Sequence, residues 1–119
     1  MGDNILIAGI TVTGTGTKRV LLRAVGPTLV NYGLEAKDVL TDPKLELYNY
    51  STGAKLDEND NWAASLTSTM SSAGAFALIA GSKDAALIAT LTAGVGYTVK
   101  VSGVGGLTGD ALVEVYELP

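Results

Sequence analysis

The C-terminal quarter of the chain alternates apolar and polar positions. Tyr97, Val99 and Val101 alternate with Thr98, Lys100 and Ser102. Beyond a gap at 103–109 that holds four glycines, Ala111, Val113 and Val115 alternate with Leu112, Glu114 and Tyr116. A period of two sends one side chain to the core and the next outward, as in a half-buried antiparallel strand. The glycines let the chain reverse, so the two segments predict a hairpin.

The same reading extends to the N-terminus. Residues 4–13 predict a strand in which Ile5 and Ile7 share one parity and Ile10 and Val12 the other. The switch at Ala8-Gly9 predicts a β-bulge or a bend between sheets. After a turn at Gly14-Thr15-Gly16, residues 18–25 predict a strand with Val20, Leu22 and Ala24 inward. Arg19, Leu21 and Arg23 then face out or toward a neighbouring element. Gly26-Pro27 ends it, because proline donates nothing to a central ladder. One helical turn is expected over 28–32, closed by Gly33. Strands follow at 44–50, with Leu45 and Leu47 inward, and at 54–56, joined by the turn Ser51-Thr52-Gly53. Trp62, Leu66 and Met70 recur at four-residue spacing and predict a short helix against a sheet edge. Residues 85–91 predict a strand with Leu87, Ala89 and Leu91 on one face. Together these give an all-β antiparallel sandwich or jelly roll of seven to eight short strands, with one or two short helical segments.

Length and composition narrow the picture. The 119 residues suit one domain, taken as 3–119. With 47% apolar but only 6% aromatic residues, the core must come from Val, Ile, Leu and Ala, and fifteen glycines suit many turns. There is no Cys and no His, which removes disulfides, thiolate chemistry, the commonest general base and the commonest transition-metal ligand. The net charge of −4 carries no basic run beyond Lys18, Arg19 and Arg23, so nucleic acid is not an expected partner. No apolar run approaches a membrane span. Met1-Gly2-Asp3 leads directly into the first strand, as expected for a module cut from a longer secreted chain, with Met1 and Gly2 added for expression.

Two resemblances emerge. The segment DPKLELYNYSTGAKLDENDNW, followed by LTAGVGYTVKVSGVGGLTGDALVEVYEL, resembles bacterial pre-peptidase C-terminal-like domains. Those domains look like jelly-roll sandwiches appended to secreted enzymes and surface proteins. The whole chain, through KRVLLRAVGPTL, Asp42-Pro43, NDNW at 59–62 and ALVEVYEL, is similar to an uncharacterised module of large secreted or cell-surface bacterial proteins. These likenesses imply location and architecture rather than an activity.

Candidate chemistry is sparse. Asp57, Asn59 and Asn61 match the first three ligand positions of a calcium loop, but Trp62 replaces the glycine at position six and Ser68 the glutamate at position twelve. A different calcium geometry would draw on Asp57, Asp60 and Asp84; the alternative is a solvated turn that bonds its own backbone. Trp62 with Tyr48 and Tyr50 would make a platform for sugar rings if exposed; otherwise Trp62 anchors the helical segment. Arg19 and Arg23 share a face and would either hold an anion or brace a loop, with Arg23 pairing to Asp42, Asp84 or a carbonyl. No Gly-x-Ser-x-Gly elbow occurs, and GVGGLTG lacks the lysine of a phosphate loop. The expectation is a non-catalytic structural or adhesive module of a secreted or cell-surface bacterial protein. Its partners would be like modules or neighbouring domains, and strand exchange into filaments would run through an edge carrying Ile5, Ile7, Ile10 and Val12. The alternative is a carbohydrate-binding module of a polysaccharide-active enzyme.

Overall fold

The computed structural model describes residues 5–119. Among them, seven strands form two antiparallel sheets: β1 (Leu6–Thr11), β2 (Thr17–Val25), β3 (Pro43–Asn49), β4 (Lys55–Asn59), β5 (Ala85–Thr92), β6 (Gly96–Gly103) and β7 (Leu112–Glu117). One sheet has the order β1-β6-β3-β4 and the other β5-β2-β7. The expected start of the first strand at Asn4 lies outside the described residues.

Alternation sets the layers. Val20, Leu22 and Ala24 of β2 and Leu87 and Leu91 of β5 meet Leu45, Leu47, Val99 and Val101 between the sheets. The opposite face of β2 and β5 is also apolar. Leu21, Val25 and Ala86 pack outward against Leu29, Met70 and Leu78. That second cluster is roofed by a 3-10 segment at Pro27–Tyr32 and by α1 (Thr67–Ser72), with a 3-10 turn at Ala64–Leu66 leading into it. Gly33 closes the first segment at φ 102°, a left-handed conformation that favours glycine. Trp62, Leu66 and Met70 thus pack on the outer face of the three-stranded sheet rather than at its edge.

Three local expectations are corrected. β1 pairs with β6 in unbroken register from Leu6↔Val101 to Thr11↔Gly96, so no bulge occurs at Ala8-Gly9. The parity switch arises because Ile5 and Ile7 do not face the core: both are exposed. The segment at 103–109 is not a hairpin loop, because β6 and β7 lie in different sheets; it carries the chain between layers through a 3-10 turn at Val104–Gly106. The acidic loop is partly strand, since β4 extends through Asp57 and Glu58 to Asn59. A strand has room for these charges because β4 is an edge whose side chains meet water.

Candidate functional site

The buried polar groups are committed to the fold. Asp84 is fully buried. It accepts from the Gly26 amide (2.7 Å), the Thr28 amide (3.3 Å) and the Thr28 and Ser82 hydroxyls. Thr28 Oγ1 in turn accepts from the Ile79 amide at 2.9 Å. The carboxyl thereby ties together the stop after β2, the segment before β5 and the roof of the second core. Arg23 is also fully buried. Its Nε donates to Glu114 Oε1 (2.9 Å) and one terminal nitrogen to the Phe76 carbonyl (2.7 Å). The other terminal nitrogen lies 2.8 Å from Glu114 Oε1 but outside hydrogen-bonding angles, so it adds Coulomb attraction without a second bond. The guanidinium sits 4.5 Å from the Phe76 ring centroid and 5.8 Å from that of Tyr116. The brace expected of Arg23 is present, with a carbonyl as one partner, but its carboxylate is Glu114 rather than Asp42 or Asp84. Sequence reasoning missed Glu114, whose pairing follows from the Arg23↔Glu114 register of β2 and β7.

The aromatic candidates do not share a surface. Trp62 is half-buried against the second core, and its Nε1 donates to Ser82 Oγ at 3.1 Å. Tyr48 lies on the outer face of the other sheet, with Lys100 Nζ 4.6 Å from its ring centroid and its hydroxyl donating to Glu46. That bond and desolvation raise the Tyr48 hydroxyl above its ordinary range. Tyr50 is 76% exposed. A flat three-ring platform is therefore absent, because two sheets separate Trp62 from the tyrosines.

The calcium candidates make hydrogen bonds of their own within the fold. Asp57 Oδ1 accepts from the Glu58 amide, Asn59 Oδ1 from the Ala86 amide, and Asp60 Oδ1 from the Asn61 side chain. Both Asp84 oxygens are occupied as described. Among the described residues, no three acidic side chains converge on a point where a cation would sit.

What remains is the β1 edge. Among the described residues, β1 pairs only with β6 and ends its sheet. Leu6 is 46% exposed and Ile7 59%, with Ile5 also exposed; Ile10 and Val12 are half-buried against the inter-sheet core. From residue 5 to residue 13 the edge carries no charge and no proline. The other edges carry charges or a side-chain cap. β4 presents Lys55, Asp57 and Glu58, with Lys55 Nζ 2.6 Å from Glu58 Oε1. That contact raises the Lys55 ammonium above its ordinary value and lowers the Glu58 carboxyl. β5 also lacks charge and proline, but its Ala86 amide is taken by Asn59 and most of its first half is buried. β7 carries Glu114 and Glu117, the latter 3.4 Å from Lys18. Charges and side-chain caps are the usual means by which sheets blunt their edges, and β1 has none of them.

No family model, curated protein or solved structure matches the chain. Among the described residues, no helix is long and apolar enough to cross a membrane.

Proposed function

We propose that this domain is a non-catalytic structural or adhesive module of a secreted or cell-surface bacterial protein, which associates with like modules through its edge. The observation that carries this reading is the unprotected β1 strand. An unpaired ladder offers backbone donors and acceptors to an incoming strand, and apolar side chains beside it offer area to bury. Covering the exposed portions of Ile5, Leu6 and Ile7 would contribute about 1 kcal/mol each, roughly half the value of full burial. The buried polar network is structural, since Arg23, Glu114 and Asp84 tie the three-stranded sheet to the segments that cover its outer face. The likeness of its β-strand segments to modules of secreted bacterial proteins supports the placement outside the cell.

Sedimentation velocity over a micromolar-to-millimolar series, with electron microscopy of the concentrated sample, tests the proposal. Association that grows with concentration is expected. A sharp monomer boundary throughout, with no assemblies on the grid, would overturn it.

A further inference from the structure

We infer that the occupant of the β1 edge is β1 of a second copy, paired antiparallel about a two-fold axis at Gly9. This inference rests on the self-association reading above and specifies its partner, register and symmetry.

The direction of the free backbone groups comes first. The Val12 carbonyl accepts from Gly94 on the β6 side, and the Gly96 carbonyl accepts from Tyr50 on the β3 side. Backbone groups alternate along a strand. Gly96, Thr98 and Lys100 therefore address β3, while Tyr97, Val99 and Val101 address β1. Across the register of β1 and β6, the bonded partners are Leu6, Ala8 and Ile10. The amides and carbonyls of Ile7, Gly9 and Thr11 point away from the sheet, into the open edge.

Gly9 is the second observation. It stands mid-strand, where glycine weakens a strand. Among the described residues nothing demands it: its φ is not in the left-handed region, and a Cβ there would meet none of their atoms within 4 Å. In a register with Gly9 at the two-fold axis, the absent side chains leave no cross-strand clash where the two copies face each other. Antiparallel pairing centred on Gly9 sets Ile7 opposite Thr11 of the second copy, Gly9 opposite Gly9, and Thr11 opposite Ile7. This register uses every outward-directed residue of the strand.

The inward side chains then fall into space already present. Two hollows flank the seam between the β1 and β7 edges. One, of about 320 Å³, lies beside Leu6, Leu40, Val101 and Ala111. The other, of about 310 Å³, lies beside Ile10, Val12, Val20 and Val115, with the Lys18–Glu117 ion pair on its rim. Val115 faces this seam and is 45% exposed. In the Gly9-centred register, Val12 of the second copy lies across from Leu6 at the first hollow, and its Leu6 lies across from Val12 at the second. Backbone bonds with alternate side chains in pockets are the pattern of strand addition. The interface is isologous and closes at a dimer.

Two variants test this in the intact chain. Gly9→Pro removes an amide that has no partner among the described residues, a position where an edge strand tolerates proline. It should leave the thermal midpoint close to wild type and weaken dimerisation by roughly tenfold to a hundredfold, one backbone bond being lost from each copy at the axis. Gly9→Cys introduces the chain's sole thiol. Bonded antiparallel partners have Cα atoms about 5.5 Å apart, within disulfide reach. Mild oxidation should therefore trap a Gly9→Cys dimer, and a Ser51→Cys control in the β3–β4 turn should stay monomeric. If the wild type associates but Gly9→Pro associates equally well and Gly9→Cys fails to cross-link, the β1 register is overturned while self-association stands. If the wild type is monomeric at every concentration, both readings fail.

Discussion

Replacing Arg23 by methionine removes the cation that joins β2, β7 and the roof over the second core. The side chain has no exposure, so every polar contact it makes is made within the protein. Deleting one partner of a buried ion pair costs about 3–5 kcal/mol, because the other charge is left without compensation. Here the lower end applies. Glu114 retains 16% side-chain exposure and still accepts from the Tyr116 hydroxyl at 2.7 Å, so it can be partly rehydrated. The Phe76 carbonyl loses its 2.7 Å donor, and methionine fills only part of the space beneath the Phe76 ring. A loss of about 3 kcal/mol follows, a large fraction of the roughly 5–15 kcal/mol of a typical domain. It corresponds to a fall of roughly 10 °C in Tm. Removing both charges, as Arg23→Met with Glu114→Leu, should recover most of the loss, since apolar replacement of a whole buried pair is often neutral. Urea unfolding followed by the fluorescence of Trp62, the sole tryptophan, gives all three free energies on one signal. The reasoning fails if Arg23→Met costs less than about 1 kcal/mol, or if the two substitutions simply add.

Other outcomes follow from the same structure. Asp84→Ala leaves the buried Gly26 amide and the Thr28 and Ser82 hydroxyls without their shared acceptor, and should cost about 3 kcal/mol or more; Asp84→Asn keeps an acceptor and should cost less, as read by the same urea titration. Burial, with the bond to Glu114, raises the Tyr116 hydroxyl above its ordinary 10.0. A folded value above the unfolded one gives stability that is complete below pH 10.0 and is lost as pH rises through the folded value. Unfolding midpoints should thus decline above that pH, and Tyr116→Phe should shallow the decline; an identical alkaline limb in both proteins would contradict the assignment.

The strand order was only partly legible in the chain. Alternation in β2, β3 and β6 identified inward faces correctly because those strands are flanked on both sides, and β5, an edge strand, followed because its inward side chains join the inter-sheet core. Trp62, Leu66 and Met70 announced a helical cover for the same reason of spacing. β1 misled because an edge residue need not obey the core: Ile5 and Ile7 are apolar yet exposed, which mimicked a change of parity. The glycine-rich gap misled because glycine reports that a chain turns, not whether it turns within a sheet or between sheets. Glu114 and Asp84 took their roles from partners 91 and 58 residues distant, which no local pattern encodes. The β1 edge was legible as an apolar strand, but the direction of its free amides required the register.

Residue-resolved amide exchange as a function of protein concentration tests the edge most directly. In dilute solution the amides of Ile7, Gly9 and Thr11 should exchange rapidly while those of Ala8 and Ile10 are protected by β6. On concentration, protection should appear at Ile7, Gly9 and Thr11 together. Exchange at these three amides that is indifferent to concentration, or new protection arising along β4 or β5 instead, would contradict the account.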